Sequence, residues 1–221
     1  MGSAILPRLM TRLFHGVVCC GNPDGVYLTF DDGPDLDVTP RLLILLDHLN
    51  CPATFFVSGA QVERHPDVVR DALNAGHVIA SHGFSHRSLL FAGEKTIRYE
   101  LTHSREVIHQ ATGKQPELFR PPYGRFGQDL PELAAESGMT VVLWSLSPGD
   151  YRPAPASRII HRLLGRVEPG DIILLHDRGR GTGRMLDWLP DIIAGLLDKA
   201  LEPKPLTKSA CRVTSHKPPV R

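Results

Sequence analysis

The chain reads as one α/β domain built on parallel strands, and three observations predict this. Short apolar runs of strand length recur along it, separated by longer stretches with helical spacing and capping signals. Its 221 residues exceed a small domain but are few for two, and single α/β barrels occupy this range. Polar residues also stand repeatedly at the carboxyl ends of the apolar runs, where a parallel barrel gathers its chemistry on one face.

In chain order, the predicted strands cover residues 26–30, 53–57, 78–80, 118–120, 141–144, 172–175 and 205–207. Thr39 followed by Pro40 predicts a helix through residue 49, with an N-cap and a proline in its first turn. Further helices are expected over 66–75, 96–112, 130–137, 155–167 and 186–200, with Gly76, Gly113 and Gly138 in C-cap positions. Residues 1–25 form a lead-in and 26–207 the domain, while the polar, basic and proline-bearing stretch 208–221 is expected to fray. No fixed-period repeat is present.

A formal net charge of +1 and 42% apolar residues describe a soluble globular chain. No basic excess points to nucleic acid. No window approaches the roughly 20 apolar residues of a membrane span. Basic residues interrupt the apolar run of residues 1–14, an unsuitable pattern for a signal peptide. Cys19, Cys20, Cys51 and Cys211 have neither metal-ligand spacing nor a disulfide framework, so reduced thiols and a cytoplasmic location are expected. Oligomeric state is open.

Adjacent Asp31 and Asp32 close the first apolar strand, and like charges so near call for a cation between them. Alone, Asp31-Asp32-Gly33-Pro34 is equally well a turn. His82 and His86 stand four apart, and two imidazoles with one carboxylate leave a Zn²⁺-like ion an open position for water. The other aspartate is then free to act as a base. His82 follows the third strand, Arg120 ends the fourth, Asp150 lies past the fifth and His176 follows the sixth. His48, His65, His77, His103, His109 and His161 sit in or beside helical runs and read as surface or packing residues.

Five blocks carry a resemblance: Thr29-Phe30-Asp31-Asp32-Gly33-Pro34, His82-Gly83-Phe84-Ser85-His86, Arg120-Pro121-Pro122-Tyr123-Gly124, Trp144 through Tyr151, and Leu174-Leu175-His176. In this order they resemble the polysaccharide deacetylase family, the NodB-homology domain of carbohydrate esterase family 4, over about residues 26–200. The resemblance implies a distorted, incomplete (β/α) barrel of about seven parallel strands holding one divalent metal, zinc foremost and cobalt or nickel in some members. Carried over, Asp32, His82 and His86 ligate the metal, and Asp31, paired with Arg120, is the general base. His176, oriented by Asp150, is the general acid. The Tyr123 N–H faces the oxyanion, Leu174 receives the acetyl methyl, and the Tyr123 ring and Tyr151 wall the groove.

The implied reaction is hydrolysis of N-acetyl groups from amino sugars of a chitin-like or peptidoglycan-like glycan. Hydrolysis of another C–N amide, such as a cyclic imide or a small acylated metabolite, is the alternative, and a catalytically silent glycan-binding module is a third reading. Three positions depart from the pattern. Gly83 stands where many members carry Ser or Thr, Ser147 where many carry Asp, and Tyr151 where many carry Trp.

Overall fold

The computed structural model describes residues 15–151, 153–179 and 182–211. The stretch 1–14 judged above for a signal peptide, and residues 212–221 of the expected tail, lie outside them. Seven parallel strands form one curled sheet: β1 (Val17–Val18), β2 (Tyr27–Asp31), β3 (Thr54–Val57), β4 (Val78–Ser81), β5 (Leu118–Phe119), β6 (Thr140–Val142) and β7 (Ile172–His176). Their spatial order is β1-β6-β5-β4-β3-β2-β7. Seven α-helices accompany them among the described residues: α1 (Val38–His48), α2 (Gly59–Arg64), α3 (Pro66–Asn74), α4 (Glu94–Thr112), α5 (Leu130–Glu136), α6 (Ala156–Leu164) and α7 (Met185–Asp198). None of these is long and apolar enough to cross a membrane.

The sheet does not close as a ladder, because β1 and β7 are its two edges. Beyond β6 the chain instead bends onto β7, where the Leu174 N–H donates to the Leu146 carbonyl (2.9 Å) and the Leu146 N–H to that of Ile172 (3.2 Å). This is an incomplete barrel of seven parallel strands.

Side chains alternate with the strand period of two. Leu28, Phe30, Ile173 and Leu175 face outward into the large core with Leu42, Leu46, Ile192 and Leu196 of the helices. The Phe30 and Phe55 rings stack there at 5.2 Å. Tyr27, Phe56, Ala80, Leu118, Val142 and Ile172 face inward and fill the barrel. Continuing the inward series along β2 and β7 leads to Thr29 and Asp31, and to Leu174 and His176. Asp31 and His176 are register partners on adjacent strands.

Three expectations need correction. Residues 205–207 form no strand. Leu206 is a buried plug there, its N–H donating to Thr54 Oγ1 at 2.8 Å. The seventh strand is β1, two residues that pair with β6 from within the segment expected to be a lead-in. Thr39 is not an N-cap but lies inside α1, where its hydroxyl donates to Asp177 Oδ2 at 2.6 Å. Asp35 serves the helix start, its Oδ1 accepting from the Asp37 and Val38 N–H groups. Helix α2 was not expected from the sequence; six residues with two charges carry little periodic signal.

Candidate active site

Asp31 ends β2 pointing inward and buried. Its Oδ1 accepts from Arg120 Nη1 at 2.6 Å. Arg120, reaching in just beyond β5, is fully buried and caged. Nη1 also donates to Thr29 Oγ1 (2.8 Å), Nη2 to the Leu143 carbonyl (3.1 Å), and the guanidinium lies 3.9 Å over the Phe56 ring. Burial pulls the pKa of this arginine down, and the charge and hydrogen bond of Asp31 offset that in part. The cage fixes the orientation of the Asp31 carboxylate.

Asp32 adopts a left-handed backbone (φ 81°), which brings its side chain toward the loop after β4. Its Oδ1 lies 2.8 Å from His86 Nε2 and 3.3 Å from His82 Nε2. Burial pushes the Asp32 carboxyl up, but hydrogen bonds and charge from the two imidazoles outweigh it and hold the group well below the usual carboxylate range. His82 Nδ1 bonds the Arg120 carbonyl at 2.8 Å, so Nε2 is the nitrogen left for ligation. The Tyr123 hydroxyl lies 3.4 Å from His86 Nδ1.

Ligand atoms of Asp32, His82 and His86 all lie within 4.8 Å of one another. One ion with bonds of about 2 Å needs that compactness, and an N₂O donor set suits zinc and its neighbours. The residues fit a divalent metal.

The sequence reading passed over Glu100. From α4 this buried carboxylate reaches under the histidine loop, where Oε2 accepts from the Phe84 N–H (2.7 Å) and the Ser85 N–H (2.8 Å), and Oε1 from the Ser85 hydroxyl. It therefore clamps the segment between the two histidines. A Cβ at Gly83 would sit 3.2 Å from Glu100 Oε2, on a backbone with φ +78°. The signal was present: Ile97, Glu100, Leu101, Ser104 and Ile108 share one buried face of α4, and a carboxylate on such a face needs a partner.

Across the opening, His176 Nδ1 lies 3.1 Å from Asp150 Oδ2, and the same oxygen accepts the His176 main-chain N–H at 2.9 Å. Burial lowers the His176 pKa, but the hydrogen bond and charge of Asp150, with smaller pulls from Asp31 and Asp32, raise it to about 9. Next to it, Asp177 is fully buried, and burial pushes its pKa up to about 7 against the Thr39 hydrogen bond.

One cavity of about 510 Å³ joins these groups, with Asp31, Asp32, His82, His86, Leu174 and His176 in its walls. Tyr123 and Tyr151 stand on its rim, 60% and 54% exposed. Trp144, Arg125 and Arg178, which the sequence reading did not single out, also line it. The Tyr123 turn lies over Trp144 because Gly124 has no Cβ; one would meet the indole at 2.9 Å. Ser147 does not line the cavity. Its Oγ accepts the Gly149 N–H at 3.3 Å, within the turn that leads to Asp150.

Fold and site together define an α/β incomplete barrel with a donor set that could hold a divalent ion at its carboxyl face. A sequence model of the family described as polysaccharide deacetylase matches residues 20–142. The chain belongs to that family. It is 37% identical to a peptidoglycan-N-acetylglucosamine deacetylase of Bacillus cereus over 80% of this chain and 65% of that protein, slightly under two thirds of its length. It is 38% identical to a chitooligosaccharide deacetylase of Bradyrhizobium sp. over 78% of each. Its fold superposes on the crystal structure of the Bc1960 peptidoglycan N-acetylglucosamine deacetylase with a TM-score of 0.83 and 33% identity, over 87% of this chain and 91% of that one.

Proposed function

We propose that this chain is a zinc-dependent N-deacetylase, removing the acetyl group from N-acetylglucosamine units of a glycan. One observation carries the reading. A carboxylate held by a caged arginine (Asp31–Arg120) and an imidazole held by a carboxylate (His176–Asp150) meet in one cavity beside the Asp32, His82 and His86 donors. A binding module has no need of a separate base and acid.

In this mechanism Asp31 accepts the proton of the attacking water while a C–O bond forms at the acetyl carbon. Arg120 pairs with Asp31 and holds it aimed. The main-chain N–H of Tyr123 faces the oxygen on which negative charge develops. His176 donates its proton to the departing nitrogen as the C–N bond breaks, leaving acetate and an amine. Asp150 keeps His176 protonated and oriented, and Leu174 receives the acetyl methyl. When bound by Asp32, His82 and His86, the ion acidifies the attacking water and shares the developing negative charge.

The exposed Tyr123 and Tyr151 rings favour a sugar chain over a small cyclic imide, because aromatic faces on an open rim suit pyranose rings. Acetate release from N-acetylglucosamine oligomers by zinc-loaded and metal-stripped protein tests the proposal. Zinc-dependent release is expected. Turnover of cyclic imides alone would move the reading to other amides, and turnover of neither to a silent module.

A further inference from the structure

Two arginines in the cavity wall are not used by the mechanism above. Arg125 follows the Tyr123 turn and Arg178 lies two residues past His176, so they come from the loops after β5 and β7. Both are exposed. Among the described residues neither makes an ion pair of 4.0 Å or less with a carboxylate, in contrast to Arg41, Arg70, Arg98 and Arg120.

The other charges of the site cancel in pairs. Asp31 is matched by Arg120, and Asp150 by protonated His176. Of the residues that line the cavity, Asp32 is the remaining anion, and it belongs to the donor set for a dication, while the buried Glu100 and Asp177 carboxylates lie behind the wall. With a dication on Asp32 the cavity wall carries no unmatched negative charge, so the exposed Arg125 and Arg178 side chains give its rim a positive excess. A neutral glycan offers two guanidinium groups only uncharged hydroxyl and carbonyl acceptors, whereas a carboxylate offers a planar, charge-matched one that two N–H groups can grip at once.

We infer that Arg125 and Arg178 select an acidic glycan, one carrying a carboxylate on a sugar neighbouring the N-acetylated unit that is cleaved. The inference rests on the deacetylase reading and narrows its substrate. Either a lactyl ether on an amino sugar or a uronic acid supplies such a carboxylate.

The test compares kcat/KM for acetate release by the zinc-loaded chain on two acidic oligosaccharides, one with muramyl lactyl groups and one with alternating glucuronate. Each is measured as such and with its carboxyl groups amidated, so that length and sugar sequence stay fixed. Wild type is expected to prefer at least one acidic form over its amidated twin by about tenfold at low salt, and less at high salt. The oligosaccharide that shows the preference identifies the carboxylate source. In the Arg125→Gln/Arg178→Gln double variant the ratio should fall toward one. A general folding defect cancels from this ratio.

Equal rates on acidic and amidated forms in wild type, or a preference that persists in the double variant, would overturn the inference while leaving the deacetylase reading intact. No acetate from any glycan would overturn the deacetylase reading, and the inference with it.

Discussion

Replacing Asp150 by Asn tests the acid half of the site without emptying it. The carboxamide retains an oxygen for the His176 main-chain N–H but loses the charge that holds the imidazolium. The His176 pKa stands at about 9 against an ordinary 6.5, and at 1.36 kcal/mol per unit the rise is worth about 3 kcal/mol. Burial alone pulls it the other way, and Asp150 is the largest upward contribution. Without Asp150 the pKa should therefore drop to about 6.5 or below. At pH 8 the protonated fraction would fall from about 0.9 to about 0.03, a loss of roughly 30-fold in the acid form. NMR titration of the imidazole in metal-free protein reads the shift directly.

The same change has a stability signature. A pKa raised on folding stabilises the native state fully below the unfolded value of about 6.5, and that stabilisation disappears as pH rises through about 9. Asp150→Asn should cost about 3 kcal/mol at pH 5.5 and far less at pH 9.5, measured by urea unfolding. In zinc-loaded protein the dication opposes the pull of Asp31 and Asp32, so the alkaline limb of the rate profile lies below 9 and should still move down in the variant. A His176 midpoint that stays above about 8 in Asp150→Asn would refute this account of how the imidazole is charged.

Glu100→Gln should weaken zinc binding by about 10- to 100-fold in a chelator competition, because an amide cannot accept all three bonds that hold the histidine loop; an affinity within twofold of wild type would remove Glu100 from that role. Asp31→Asn should retain the metal but lose on the order of 10²-fold or more in acetate release, and near-normal turnover would sink the base assignment. Arg120→Met leaves the Asp31 charge buried and uncompensated, so denaturant unfolding should show a loss of about 3–5 kcal/mol. His82→Ala should bind far less than one zinc per chain by elemental analysis; stoichiometric, tightly held zinc would show that the donor set is wrong.

Much of the architecture was legible because burial leaves a periodic trace. Parallel strands covered on both faces appear as short apolar runs, and β2, β3 and β7 lie within a residue or so of where those runs predicted them. The Asp31-Asp32 pair, the two histidines, Arg120, Asp150 and His176 were legible as polar residues interrupting or ending such runs. Short elements were read unevenly: the two-residue β5 was found, β1 in the lead-in and the six-residue α2 were missed, and 205–207, where a single buried Leu206 plugs the barrel, was read as a strand.

By itself the sequence determined the α/β class, the order of the elements and the identities of the residues that could carry chemistry. Only the tertiary structure decided which of them meet. Pairing of Asp31 with His176 depends on β2 and β7 being neighbours although the two residues are 145 positions apart, and on both side chains falling on the inward phase of a period-two register. The Thr39–Asp177 bond also joins segments distant along the chain, the Glu100 clamp joins helix α4 to the loop before it, and the two rim arginines come to one cavity from separate loops. A local pattern specifies which face of a strand or helix is buried, whereas the partner on that face is set by packing the whole chain around one core.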